Sequence, residues 1–225
     1  MIRFTLKETP SVPLEAEVLS PDALVSLAAD QIRALPVLLG KRRRRLDEFF
    51  EVEGDGGDEI EIRGDAQRVK WIGRGMTRGT LRIDGNAGMH LGSAMSGGTI
   101  EVSGDVGDWL GAEMTGGVIR VHGNAGGQVG AAYRGGLSGM RDGLILIDGA
   151  AGLELGMRMK RGTIVVEEGD VKEVTEGREF IVHPECDPQI ENYIRPLFEK
   201  VYTMSFANYA VEMERLRDPE VMPCK

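Results

Sequence analysis

An apolar-x-apolar pair recurs six times along the chain, at Ile60/Ile62, Leu81/Ile83, Ile100/Val102, Ile119/Val121, Ile145/Ile147 and Ile164/Val166. The pairs lie 21, 19, 19, 26 and 19 residues apart, so a period near 20 survives one insertion of two residues and one of seven. Such a period marks a stacked repeat. Strand side chains alternate, which points positions one and three of each unit inward. Position five is glycine in five units (Gly64, Gly85, Gly104, Gly123, Gly149), as a corner with positive φ or tight backbone approach requires. Asp65, Asn86, Asp105, Asn124 and Ala150 follow, mostly types that tolerate the left-handed region. A second corner is marked by Gly73, Gly92, Gly111, Gly130 and Gly156, each behind an apolar residue. Met76, Met95, Met114, Met140 and Met159 each stand five residues before the next pair, which places the seven-residue insertion at 131–137.

Stacked in register, these units predict a mainly β fold: a right-handed parallel β-helix of about six coils of ~19 residues, with strands ~4.8 Å apart. Outward position two tests the register. It reads Glu61, Arg82, Glu101, Arg120, Leu146, Val165, so opposite charges alternate where neighbouring rungs meet. Arg63 falls opposite Asp84 at position four. Leu146 and Val165 predict an outward apolar strip that meets the C-terminal helices or a partner protein.

The flanks follow other periods. The segment from Met1 to Lys7 alternates as a strand, and Leu24, Leu27, Ala28 and Ile32 predict a helix over 22–34, capped by Ser20 or Asp22. Asp187-Pro188 opens an amphipathic helix reaching Tyr202 and kinked at Pro196, and a second helix is predicted over 205–217. The expected organisation is an N-terminal α/β cap (1–53), a Gly-rich β-helix (54–168) and an acidic, helical extension (169–225). Residues 54–169 hold 30 of the 32 glycines, but their periodic interleaving with Ile, Val, Leu and Met argues against disorder.

Charge narrows the function classes. Of the net −9, residues 167–225 carry −7, with 14 acidic and 7 basic side chains. Nucleic-acid binding is disfavoured for so acidic a chain. No apolar run is long enough for a bilayer span and no secretory signal opens the chain, so no membrane association and a cytoplasmic location are expected.

Candidate chemistry is sparse. The Met ladder suits core packing better than a soft-metal site. His90, His122 and His183 form no imidazole cluster by repeat position, and His183-Pro-Glu-Cys186 supplies too few ligands for zinc. No metal site is therefore expected. The phrase from Gly123 to Gly130 resembles a nucleotide loop but lacks Lys-Ser/Thr and recurs in every unit, so it is structural. No Ser/His/Asp arrangement or placed carboxylate pair appears, and no catalytic residue is expected. Lys41, Arg42, Arg43, Arg44 and Arg45 form the one site-like element. It reads either as a solvated loop or as a contact for a polyanion or a carboxylate-rich partner.

The units Leu81-Arg-Ile-Asp-Gly-Asn-Ala-Gly88 and Ile100-Glu-Val-Ser-Gly-Asp-Val-Gly107, each followed by Leu-Gly, Met and Gly-Gly, carry a family likeness. They resemble the Gly-rich β-helix of the C subunit of formylmethanofuran dehydrogenase, a fold shared with the C-terminal domain of the glutamate synthase large subunit. The lead-in from Leu35 to Gly40, the stretch from Leu46 to Gly54 and the insertion before Met140 look like the former. The resemblance covers residues 35–166. It implies a non-catalytic scaffold, the C subunit of a formylmethanofuran dehydrogenase or of a formyltransferase/hydrolase complex in one-carbon metabolism. The implied partners are an amidohydrolase-like subunit and a formyltransferase or pterin-dependent dehydrogenase subunit in a hetero-oligomer. Metals or pterin would sit on those subunits, and methanofuran or methylofuran would be handled by the complex. Its glutamyl tail would be a ligand for Lys41, Arg42, Arg43, Arg44 and Arg45. The alternatives are a glutamate-synthase-type domain or a stand-alone interaction protein.

Overall fold

Each repeat contributes one strand to a single sheet. In the computed structural model, which describes residues 1–166, the elements run in this order. β1 (Ile2–Leu6), β2 (Leu14–Glu15), α1 (Pro21–Leu24), α2 (Ala29–Arg33), β3 (Pro36–Leu39), β4 (Arg42–Arg45) and β5 (Phe50–Glu53) precede the repeats. β6 (Glu59–Arg63), β7 (Val69–Lys70), β8 (Thr80–Asp84), β9 (Ser96–Val102), β10 (Thr115–Val121), β11 (Asp142–Ile147) and β12 (Thr163–Val166) follow. The chain is mainly β. The helices expected over 187–217, and His183 and Cys186, lie outside the described residues.

The large sheet has the order β12-β11-β10-β9-β8-β6-β1-β5, parallel throughout except between β1 and β5. Its register matches the sequence period. Ile60, Leu81, Ile100, Ile119, Ile145 and Ile164 stand in one column, and Ile62, Ile83, Val102, Val121, Ile147 and Val166 in another. All twelve side chains are buried. A second line of parallel bridges joins Ala66, Ala87, Val106, Ala125 and Ala151, so the backbone returns to the same two positions in every repeat. β1 adds a further rung, with Ile2 beside Ile60 and Phe4 beside Ile62.

The charge alternation is also in register. Glu61 pairs with Arg82, Arg82 with Glu101, Glu101 with Arg120, and β1 extends the column by placing Arg3 beside Glu61. Arg3 Nε donates to Glu61 at 2.6 Å, and Arg82 lies 3.7 Å from Glu101. Arg3 hydrogen bonding holds the Glu61 carboxyl below its usual range. Glu101→Lys would set three cations on consecutive rungs. The expected loss is about 1–2 kcal/mol in low salt, smaller in 1 M salt, read from denaturant melts. Where the column turns apolar, Leu146 and Val165 are buried.

Two local expectations are corrected. The residues after position five do not take the left-handed region. Their side chains instead bind the neighbouring repeat: Asn86 Nδ2 donates to Asp65, and the N–H groups of Asp105, Asn124 and Ala150 donate to Asn86, Asp105 and Asn124 at 2.9, 2.7 and 2.9 Å. This ladder satisfies turn N–H groups that the strands leave over. The single helix predicted over 22–34 is two short ones. Gly56 passes so close to the break that a Cβ there would lie 2.6 Å from the Leu27 carbonyl oxygen, and its N–H donates to that oxygen at 2.9 Å. Neither predicted cap acts as one: Ser20 makes no side-chain cap bond, and Asp22 accepts instead from the Thr77 N–H at 2.8 Å.

Candidate functional site

The basic run is a strand, not a loop. Gly40, at φ +59°, takes the first turn position of a tight hairpin, and β4 pairs antiparallel with β3 from Leu39↔Arg42 to Pro36↔Arg45. β3 anchors the hairpin through buried Val37. β4 is the outer strand of the small sheet β4-β3-β2-β7, a place where charge is well tolerated. The turn at Leu46–Glu48 divides the run electrostatically. Arg44 Nε donates to Glu48 at 2.7 Å, and Arg45 donates to Asp47 at 2.6 Å and through its backbone N–H to Glu48 at 2.9 Å. Hydrogen bonds from Arg44 and Arg45 hold the Glu48 and Asp47 carboxyls below their ordinary values. Lys41, Arg42 and Arg43 are exposed and have no acidic partner among the described residues.

A second cluster, at the second corner of the repeat, is one the sequence pattern did not point to. Trp71, His90 and Trp109 each stand two residues before a corner glycine, and all three adopt the left-handed region at φ 67°, 66° and 66°. A bulky residue there is a strained outlier. Rung-to-rung bonding holds it: the three N–H groups donate to the carbonyls of Met89, Asp108 and Gly127 on the next repeat. The rings of Trp71 and His90 stack at 4.0 Å. Tyr133, from the insertion, lies 4.9 Å from Trp109, and its hydroxyl is 3.0 Å from His90 Nδ1. Arg74 covers Trp71 at 4.6 Å and is tied to Glu17 at 2.6 Å. Aligning the repeats on the second-corner glycine, rather than on histidine alone, exposes this column in the sequence.

Burial pushes the His90 imidazole down to about 4, helped by the Lys70 and Arg74 cations, and burial pushes the Tyr133 phenol up. His90 is therefore neutral at pH 7. A histidine with a lowered folded pKa leaves stability unaffected above the unfolded value near 6.5. Below it the unfolded chain takes up the proton first, so stability falls as pH drops from about 6.5 through about 4. Trp71 and Trp109 are the chain's only tryptophans, so their emission reports on this cluster. A pH titration of that emission is expected to break near 4, and a break near 6.5 would contradict the burial.

His122, on the sheet face, lies 2.6 Å from Asp148 and 3.3 Å from Glu101, with Arg120 also on Asp148 at 3.1 Å. It extends the charge ladder sideways. Among the described residues no group of three or more His, Cys, Asp or Glu side chains is placed to hold a metal ion. No helix among them is long and apolar enough to cross a membrane.

No family model matches the chain. Individual relatives do. The C subunit of the molybdenum-containing formylmethanofuran dehydrogenase 1 of Methanosarcina barkeri is 47% identical over 89 residues, covering 37% of this chain and 30% of that protein. The C subunit of the tungsten-containing formylmethanofuran dehydrogenase 2 of Methanothermobacter thermautotrophicus is 41% identical over 94 residues, 40% of this chain and 35% of that protein. A chain in the crystal structure of the formyltransferase/hydrolase complex FhcABCD from Methylorubrum extorquens, solved with methylofuran, superposes with a TM-score of 0.70 at 32% identity. That match covers 73% of this chain and 62% of the other. Over these stretches the chain is similar to formylmethanofuran dehydrogenase C subunits and to a component of the formyltransferase/hydrolase complex. The matched segments span about a third of the length of these curated relatives.

Proposed function

We propose that this chain is a C subunit, a non-catalytic scaffold within a formylmethanofuran dehydrogenase or formyltransferase/hydrolase complex. The observation that carries this reading most is the 32% identity over 73% of the chain with a component of FhcABCD. In this reading the in-register repeats form a right-handed parallel β-helix of about six coils over 54–168, flanked by the cap at 1–53 and the acidic extension at 169–225. The chemistry belongs to an amidohydrolase-like subunit and to a formyltransferase or pterin-dependent subunit, which hold any metal or pterin. The complex works in the cytoplasm on a formyl group carried by methanofuran or methylofuran. Rung-to-rung hydrogen bonds and close packing suit such a stack to a rigid platform.

Within the basic strand, Arg44 and Arg45 are already neutralised by Glu48 and Asp47. Lys41, Arg42 and Arg43 are the residues free to meet a partner's carboxylates or the coenzyme's glutamyl tail. Tagged chain purified from its own cells is expected to bring both partner subunits in fixed ratio; a monodisperse monomer without them would contradict the scaffold role. Neutral replacement of Lys41, Arg42 and Arg43 is expected to weaken coenzyme or partner affinity. Unchanged assembly together with unchanged coenzyme affinity would remove the basic strand from the account.

A further inference from the structure

The inserted residues 131–137 form a braced loop. Tyr133 is held by Trp109, by His90 and by a bond from its N–H to Glu113 Oε1 at 3.2 Å. The N–H groups of Ala132 and Gly139 donate to the Met157 and Arg158 carbonyls, each at 2.9 Å, and Arg158 Nη1 donates to the Gly136 carbonyl at 2.5 Å. Yet the loop presents Leu137 at 91% exposure, the most exposed large apolar side chain among the described residues. Bracing keeps that side chain from folding back, which lowers the ordering cost when something covers it.

Five cations lie on the loop and on the segments next to or bonded to it. Arg134 precedes it within the loop, and Arg158 is bonded to the loop backbone. Arg141 follows Met140, whose carbonyl accepts the Lys160 N–H at 2.8 Å and the Arg161 N–H at 3.5 Å. All five are exposed, and none has a carboxylate partner among the described residues. Nearby carboxylates are engaged: Glu113 accepts from Tyr133, Asp142 from the Gly143 N–H, and Glu154 from Gln128. A cluster of cations without carboxylate partners among the described residues, on a chain of net charge −9, calls for anionic company.

We propose that this loop is a docking element for a partner protein whose surface offers an apolar recess ringed by Asp and Glu side chains. The occupant is protein, because an exposed leucine on a loop flanked by cations matches the apolar centre and polar rim of a protein interface. This inference rests on the hetero-oligomeric reading above. With the full chain and its co-expressed partner subunits, Leu137→Asp is expected to raise the assembly Kd at least about 10-fold. Joint Arg134→Glu, Arg141→Glu and Lys160→Glu substitution is expected to do the same and to flatten the salt dependence. Thermal melts matching the parent's would show that the fold is intact, since none of these side chains is buried. In the parent complex, zero-length carbodiimide coupling at Lys160 is expected to capture partner carboxylates. Coupling instead to the chain's own residues 167–225, or an unchanged Kd for Leu137→Asp in a parent that assembles, overturns the docking element alone. A parent that does not assemble with those subunits overturns the hetero-oligomeric reading and the docking element together.

Discussion

Gly85→Ala is expected to destabilise the chain by about 4 kcal/mol or more, read as a large fall in the denaturant midpoint. The added methyl would lie 2.3 Å from the Gly64 carbonyl oxygen and 2.9 Å from its carbonyl carbon, both on the adjacent rung. It cannot retreat by a rotamer change, because the obstacle is backbone locked into the parallel ladder through Arg63↔Asp84. Gly85 also sits at φ +138°, which a side chain rarely adopts. Gly75→Ala separates the two effects. Gly75 has φ +64° but nothing within 4 Å of a new Cβ, so only the backbone penalty of about 1–2 kcal/mol applies. Equal costs at the two positions would mean that the rungs are not packed as described.

Met114→Ala is expected to cost about 2–5 kcal/mol, and Met114→Leu less than about 1.5. Met114 is fully buried, and its Cε reaches to within 2.7 Å of the place where Gly143 would carry a Cβ. The same fit recurs between Met76 and Gly98, Met95 and Gly117, and Met140 and Gly162. Each methionine methyl fills the space that a glycine leaves in the following repeat, so volume matters and sulfur does not. A Leu variant as unstable as the Ala variant would point to a requirement for the unbranched thioether itself.

Much of the fold was legible because an in-register stack writes its contacts into the sequence at a constant spacing. The Glu61/Arg82/Glu101/Arg120 alternation and the placement of Met140 beyond the insertion both follow from that, and both match the ladder. Contacts that break the period were not legible. The helix predicted over 22–34 fails because a loop some 30 residues away, at Gly56, takes the Leu27 carbonyl. Trp71, His90 and Trp109 do keep the repeat spacing, so their column is readable once the repeats are aligned on the second-corner glycine. Their left-handed backbone, however, runs against residue preference and is imposed by rung-to-rung hydrogen bonding. Tyr133 joins them from the insertion, 43 residues beyond the histidine it contacts. The basic run was visible as charge, but Glu48 and Asp47 neutralise Arg44 and Arg45, a division that only the hairpin geometry reveals.

The scaffold role is tested most directly by native mass spectrometry of the amidohydrolase-like and formyltransferase or pterin-dependent subunits, mixed with and without this chain. The account predicts one hetero-oligomer of defined mass only when the chain is present. The same assembly, with the same formyl-group activity, in its absence would contradict it.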